Sequence, residues 1–185
     1  METREINIVE AAIRMILRYG MARATMSDVA HEAGISRQTL YASFAGKEDL
    51  LRASIRYLAD RNVADIISDC AKTTDLAAQL DVVIHHTAVR SFELLHASPD
   101  ANDIVSGFNS ACKEELSEAS ARYQTLIEDI LRPRKGRIEA AGMSLEQLAD
   151  FIQNSTLTIK HEARDLEHLQ QLRQALQVMV LRVVA

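Results

Sequence analysis

Apolar residues recur at three- and four-residue steps along most of the chain, which is the spacing that places them on one face of an α-helix. The first such segment covers residues 4–19 and is followed by Gly20, a typical C-terminal cap. Thr25 and Asp28 have the spacing of a capping box with a shorter acid, so a short helix is expected to follow Thr25 and to end at Gly34. Ser36 is positioned to begin a third helix.

The same periodicity continues to the C-terminal end, and no segment alternates as a strand does. Breaks are expected at Ser98-Pro99 and Arg132-Pro133, because proline disfavours helix in the residue before it. The later helices are predicted at residues 47–70, 75–97, 100–107, 109–131, 144–160 and 165–184. The expected fold is therefore all-α, with about nine helices.

Composition agrees with a helical globular protein. The chain has 185 residues, of which 48% are hydrophobic and 4% aromatic, and it has no tryptophan. Six glycines and two prolines exclude a collagen-like or linker-dominated chain. Strands favour aromatic and β-branched residues, so this balance favours aliphatic helix packing.

Charge is unevenly distributed along the chain. The net charge of −5 gives no global attraction to nucleic acid or acidic membranes. Residues 1–47 contain six Lys or Arg and five Asp or Glu, for +1, and residues 48–185 contain fifteen and twenty-one, for −6. Any nucleic-acid role must therefore depend on a local surface near the N-terminus.

The sequence lacks the features that mark disulfide-rich, secreted, membrane and enzymatic proteins. Cys70 and Cys112 form no disulfide framework or metal-ligand spacing, and buried thiols in a reducing compartment fit them better than one disulfide. No signal peptide or membrane span is predicted, so we expect a cytoplasmic protein. No nucleophile elbow, phosphate loop, HExxH or paired-carboxylate motif is present, which argues against an enzyme, and no cofactor is expected.

The segment from Thr25 to Phe44 predicts a helix-turn-helix. Gly34 supplies a tight turn at low steric cost, and Ala30 allows the two helices to approach closely. Leu40 and Phe44 would anchor the second helix on the first, which leaves Arg37, Gln38 and Ala42 facing outward. A helix held in this way can enter the major groove of DNA.

Residues 6–51 resemble the DNA-binding domain of the TetR family of transcriptional regulators, named for the tetracycline repressor. The shared positions include Ala12, Gly20, Thr25, Val29-Ala30, Ala33-Gly34-Ile35-Ser36, Thr39-Leu40-Tyr41, Phe44 and Lys47-Glu48. The resemblance implies a DNA-binding domain over residues 1–47 and an effector-binding and dimerisation domain over residues 48–185.

The resemblance also implies roles for individual residues. Thr25, Tyr41 and Lys47 would contact phosphates, and Arg37, Gln38 and Thr39 would read guanine, adenine and thymine. The implied DNA-binding set is Thr25, Ser36, Arg37, Gln38, Thr39, Tyr41, Ser43 and Lys47. Ser43 departs from the family pattern, where an aromatic residue or histidine is common, so its backbone contact would be weaker or absent.

A structural interpretation stays open for each of these residues. Thr25 and Ser36 would serve as helix caps in any fold, and Tyr41 would suit a core position with its hydroxyl at the surface. Arg37 and Lys47 would equally suit solvated surface positions. The hypothesis of DNA binding depends on the joint agreement of the whole set.

The last two predicted helices carry apolar repeats that would form a four-helix bundle across a two-fold axis. The predicted dimer interface comprises Leu148, Ile152, Ser155, Ile159, Leu169, Leu172, Leu176, Met179 and Val183. The alternative is a single intramolecular core. A dimer suits operator binding, because two recognition helices about one helical turn apart read a palindrome.

The resemblance implies an effector pocket between the fourth, fifth and seventh helices. Candidate lining residues are Phe92, Leu95, Ile104, Phe108, Cys112, Tyr123 and Ile127, with ordinary core packing as the alternative. No metal site is expected, because His85 and His86 point about 100° apart on a helix, and nothing completes a site around His161 and His168.

The predicted function is that of a homodimeric transcriptional regulator, most simply a repressor that a small molecule releases from a palindromic operator. Its expected partners are double-stranded DNA, a second copy of the chain and a small-molecule effector, with no membrane. The alternative is a helical protein-interaction module that has lost DNA readout.

Overall fold

The computed structural model describes residues 1–96, 104, 108 and 111–185. Four helices form its N-terminal part: α1 (Thr3–Tyr19), α2 (Met26–Glu32), α3 (Arg37–Ser43) and α4 (Lys47–Cys70). α1 ends before Gly20, α2 begins after Thr25 and α3 begins after Ser36, as the caps predicted, because the cap residues satisfy backbone groups that a helix end leaves unpaired. α2 ends at Glu32, slightly before the predicted Gly34. Gly20 follows α1 with a positive φ of 82°, which suits glycine.

The helices after α4 cover most of the remaining described residues. They are α5 (Leu76–Ile84), a π-helical turn (His85–Val89), α6 (Arg90–His96), α7 (Lys113–Leu131), a 3₁₀ turn (Arg132–Arg134), α8 (Lys135–Ala140), α9 (Leu145–Glu162) and α10 (Leu166–Val184). Ser144 begins α9 with a complete capping box to Gln147, as predicted. The described residues contain no strand, so the all-α prediction is confirmed.

The structure departs from the predicted helices at two places. The single helix expected over residues 75–97 is divided by the π-helical turn, a wider turn that sequence periodicity does not reveal. The stop expected at Arg132-Pro133 is confirmed, since α7 ends at Leu131, but the sequence did not predict the 3₁₀ turn and the short α8 that follow. Pro133 lies in the first turn of the 3₁₀ segment, where its missing N–H is tolerated. The predicted helix at residues 100–107 lies outside the described residues, except for Ile104.

The chain forms two compact units. The first comprises Met1–Asp60 and Leu94–Ala119, and the second comprises Arg61–Glu93 and Ser120–Ala185. Each unit has its own apolar cluster, and α4 contributes to both, with Leu50 in the first and Ile66 in the second. The predicted division after Lys47 falls at the first residue of α4. Among the described residues, no helix is long and apolar enough to cross a bilayer.

Two side-chain contacts fasten α1 to α2 in the first unit. The Asn7 amide donates to the Ala33 carbonyl oxygen over 3.0 Å. The Arg14 guanidinium pairs with the Glu32 carboxylate over 2.9 Å, and this bond lowers the pKa of Glu32. Ile8, Val9 and Ala12 of α1 are buried against the same cluster as Val29 and Ala30 of α2. These contacts hold α1 and α2 together, and Leu40 of α3 packs in the same apolar cluster.

Candidate nucleic-acid interface

The start of α2 is held by a reciprocal capping box. The Thr25 hydroxyl oxygen accepts from the Asp28 backbone N–H over 3.2 Å, and the Thr25 backbone N–H donates to the Asp28 carboxylate over 3.1 Å. The Thr25 hydroxyl also donates to this carboxylate over 2.6 Å. The capping interpretation of Thr25 is therefore satisfied in the free protein. To donate to a DNA phosphate, the Thr25 hydroxyl would have to give up its hydrogen bond to the Asp28 carboxylate.

The turn between α2 and α3 depends on Gly34. Its φ of 69° lies in the left-handed region, where a residue with a Cβ is strained. The following N–H, that of Ile35, donates to the Ala30 carbonyl oxygen over 3.0 Å. Ala30 is buried at this point, and its small side chain permits the close approach of the two helices. The turn is built as the sequence predicted.

Ser36 caps α3 through its hydroxyl. The Ser36 oxygen accepts from the Thr39 backbone N–H over 3.0 Å and lies 2.8 Å from the Thr39 hydroxyl oxygen. Both hydroxyls are therefore engaged with each other in the free protein. Since the Thr39 hydroxyl is directed to Ser36, its methyl group is the substituent that suits an apolar contact with a thymine.

The two faces of α3 are sharply different. Leu40 is fully buried and Phe44 nearly so, and both belong to the apolar cluster of the first unit. Gln38 and Ala42 are exposed on the opposite side, and Tyr41 is 53% exposed. Tyr41 is thus a surface residue rather than part of the core. An exposed face on a firmly anchored short helix is what insertion into a DNA groove requires.

Arg37 is exposed but held. Its guanidinium donates to the Ser27 hydroxyl, which lies in the first turn of α2. The bond joins the first turn of α3 to the first turn of α2. Ser27 was not among the sequence-predicted residues, because its separation of ten positions from Arg37 gives no local signal.

Lys47 and Ser43 lie at the border of the exposed face, and both are partly buried. The Lys47 ammonium donates to the Met21 carbonyl oxygen in the loop between α1 and α2. One of its three N–H groups thus donates within the protein, and the other two can donate hydrogen bonds to a phosphate. Lys47 therefore fastens the first turn of α4 to the α1–α2 loop.

The exposed face carries charges of both signs. The hydrogen bonds from Thr25 hold the pKa of Asp28 below its usual range, and the charge of Arg37 adds to this effect. Asp28 therefore stays ionised at neutral pH. A phosphate near Thr25 would meet this carboxylate, whereas one near Arg37 or Lys47 would meet positive charge.

The seven predicted pocket residues fall into two groups. Phe92, Tyr123 and Ile127 belong to the apolar cluster of the second unit. Leu95, Ile104, Phe108 and Cys112 belong to that of the first unit. Cys112 is fully buried, and burial raises its pKa to about 11. The effector pocket itself stays a prediction.

The predicted dimer residues are also divided. Leu148, Ile152, Ile159, Leu169 and Leu176 are buried in the second unit's own core, so their side chains are unavailable to a partner chain. Ser155, Leu172 and Val183 are partly buried, and only Met179 is exposed within the predicted set. The intramolecular core that stood as the alternative therefore uses most of this apolar repeat.

No group of three potential metal-ligating side chains occurs in the part of the chain that the structure describes. His85 and His86 meet edge to face, with ring centroids 5.5 Å apart. His86 is buried: its Nε2 lies 2.9 Å from an Asp69 carboxylate oxygen, and Arg90 donates to its Nδ1. The imidazole is therefore part of an internal polar network.

Comparison with known proteins agrees with this geometry. Residues 8–54 match the family model described as bacterial regulatory proteins, tetR family. The HTH-type transcriptional regulator BetI of Agrobacterium fabrum is 32% identical over 78 residues, which is 42% of this chain and 38% of that protein. The chain thus aligns with less than half the length of this curated relative.

Solved structures resemble the fold over nearly its full length. A TetR transcription regulator from Haloarcula marismortui has a TM-score of 0.75 at 21% identity, with 95% of each chain covered. The transcriptional regulator FadR of Bacillus subtilis, solved in complex with stearoyl-CoA, has a TM-score of 0.66 at 18% identity, with 97% of each chain covered. Residues 8–54 thus match the tetR family of bacterial regulatory proteins, and the chain as a whole shares the fold of solved TetR-type regulators.

Proposed function

We propose that the protein is a homodimeric regulator that binds a palindromic DNA operator and represses transcription until a small molecule releases it. The observation that carries this proposal is the outer face of α3. Arg37, Gln38 and Tyr41 are exposed there, while Leu40 anchors the helix from its other side. The family match covers the same segment.

Readout of DNA sequence would fall to the N-terminal half of α3. The Arg37 guanidinium suits guanine O6 and N7, and the Gln38 amide suits adenine N6 and N7. Tyr41 follows Gln38 by three residues, so it lies on the same side of α3, where its hydroxyl suits a phosphate. Lys47 would supply a further phosphate contact from the first turn of α4.

Dimerisation would use the exposed faces of α9 and α10. Phe151 of α9 is 50% exposed, and Val178 and Met179 of α10 are 51% and 52% exposed. Removing such large apolar side chains from water would stabilise an interface. A four-helix bundle formed with a second copy would cover them. The proposed interface lies on the exposed side of these helices, next to the buried leucines that the internal core uses.

Release by an effector requires that it bind more tightly to a conformation that does not fit DNA. A 100-fold preference corresponds to about 2.7 kcal/mol of coupling. The FadR of similar fold binds stearoyl-CoA in its crystal structure, so a small-molecule ligand is compatible with this architecture. We infer that α4, which belongs to both units, carries the change.

Selection from a random DNA pool with the purified protein tests the function. The expected product is an inverted repeat whose half-sites are about one helical turn apart. The control is the double variant Arg37→Ala, Gln38→Ala, which should enrich no sequence. If the wild-type protein also enriches none, or binds DNA without dependence on salt, the chain is better explained as a protein-interaction module.

Sedimentation of the Phe151→Asp variant tests the dimer. The expected result is a shift from dimer to monomer at micromolar concentration, with weaker operator binding. Ile67→Asp is the matched control, because Ile67 is an exposed apolar residue of α4 outside the proposed interface. A wild-type monomer, or a dimer that tolerates the Phe151→Asp substitution, would contradict the proposed interface.

A further inference from the structure

One face of α9 carries polar side chains into the interior of the second unit. Gln153 is 3% exposed, Thr156 is buried and Lys160 is partly buried. At about 100° per residue, these three positions fall within about 60° of each other around the helix, and Phe151 lies about 180° from Lys160. We call Gln153, Thr156 and Lys160 the α9 polar stripe. It faces away from the proposed dimer surface.

Gln153 has an unsatisfied group. Its Nε2 donates to the Ser120 hydroxyl oxygen over 3.3 Å, whereas its Oε1 has no hydrogen-bond partner. A buried polar atom without a partner is unfavourable by about 1–3 kcal/mol. Rotating the amide by a half turn does not remove the problem, because Ser120 pairs with only one of its two ends. The site is therefore incomplete without a further hydrogen-bonding group.

Other polar groups converge on the same place. Ser120 and Tyr123 are three residues apart on α7 and share a face of that helix. Asn62 of α4 donates from its amide to the Tyr123 hydroxyl oxygen over 3.3 Å. Amides from α4 and α9 thus both meet α7 inside the second unit. These neutral polar groups offer hydrogen bonds to the polar groups of a ligand within an otherwise apolar cluster.

Lys160 lies two turns from Gln153 along the stripe. Its ammonium makes no hydrogen bond or ion pair with any residue that the structure describes. Burial lowers its pKa, and the same ammonium contributes to the lowered pKa of the neighbouring His161, which burial mainly causes. A cation that is partly removed from water without a counter-ion is unfavourable, and a bound anion would relieve this.

We propose that the α9 polar stripe binds a small organic acid, with its carboxylate on Lys160 and a hydroxyl or amide donor on Gln153 Oε1. The seven residues between the two positions correspond to about 10 Å along the helix, which sets the spacing of the two ligand groups. The inference rests on the proposed function, in that this acid is the effector. The aliphatic residues around the stripe, Ile152 and Ile159 among them, suit an apolar spacer.

Thermal unfolding with 8-hydroxyoctanoate as the probe tests the site. The acid should raise the unfolding midpoint of the wild-type protein, and 8-amino-1-octanol, which reverses the charge, should not. Lys160→Met and Gln153→Met should each weaken the response to the acid by tenfold or more in probe concentration. Lys135→Met, at an exposed surface lysine, is the matched control and should respond as the wild type does.

A second measurement needs no probe. Lys160→Met should raise the unfolding midpoint of the free protein, since it removes a desolvated charge, whereas Lys135→Met should leave it unchanged. No response to the acid, an equal response to the amino alcohol, or an unaltered response of Lys160→Met would overturn the proposal. Operator binding by Lys160→Met without probe should be unchanged. If neither the variant nor the wild-type protein binds the operator, the regulator function is refuted instead.

Discussion

Replacing Arg37 with alanine separates base readout from general attraction to DNA. The guanidinium is exposed. In the part of the chain that the structure describes, it makes one hydrogen bond, to the Ser27 hydroxyl. Its removal leaves the apolar cluster untouched. The change in the free energy of unfolding should therefore stay within about 0.5 kcal/mol, and any loss of binding is attributable to the interface.

The size of the loss follows from the contact assigned to Arg37. A bidentate arginine–guanine pair discriminates by about 1–3 kcal/mol, so a dimer with two such pairs would lose about 2–6 kcal/mol. At 1.4 kcal/mol per tenfold change, this is a weakening from about thirty-fold to more than ten-thousand-fold. The loss should be confined to operators with the cognate base pair, and preference at that position should disappear.

Fluorescence anisotropy with a labelled operator, titrated at several salt concentrations, measures both base readout and general attraction to DNA. If Arg37 instead binds phosphate, all sequences should weaken alike and the salt slope should fall by about 0.9 for each protomer. Arg37→Lys distinguishes the cases again, because lysine restores a phosphate contact but not a bidentate one. Equal binding by wild type and Arg37→Ala would refute the assignment of α3 as the recognition helix.

Three further outcomes are expected. Thr25→Ala should lower the free energy of unfolding by about 1 kcal/mol in urea titrations, because it removes the α2 cap, and Thr25→Ser should restore most of it; equal stabilities would contradict the capping role. Cys112, whose pKa burial raises to about 11, should resist alkylation by iodoacetamide at neutral pH and react at the rate of unfolding; fast modification of the native protein would show that the site is open. For Lys160 the folded-state pKa lies below the ordinary 10.5. Between the folded-state pKa and 10.5 the unfolded chain binds more protons than the folded protein, so stability rises with pH in that window. The excess stability of Lys160→Met over the wild type should hence be greatest at neutral pH and shrink as pH approaches 10.5, and a pH-independent difference would refute it.

Much of the N-terminal unit could be predicted from the sequence, because its determinants are local. The Thr25–Asp28 box, the Gly34 turn and the Ser36 cap each act over a few residues, so their spacing specifies both the structure and its register. The buried positions of Leu40 and Phe44 follow from helix periodicity alone. The exposed face of α3 is their geometric complement.

Contacts between distant residues were decided only by the tertiary structure. Nothing local pairs Arg37 with Ser27 or directs the Lys47 ammonium to the Met21 carbonyl oxygen. The π-helical turn and the 3₁₀ turn at Pro133 likewise depend on how neighbouring helices pack, which propensity describes poorly.

The repeats of α9 and α10 show the limit most clearly. Periodicity identifies an apolar face but does not say whether a helix of the same chain or of a second chain covers it. The fold buries Leu148 and Leu169 internally and leaves Phe151 and Met179 exposed. It also encloses Gln153 with one end of its amide unpaired, because burial of a side chain is a property of all the helices around it rather than of the segment that contains it.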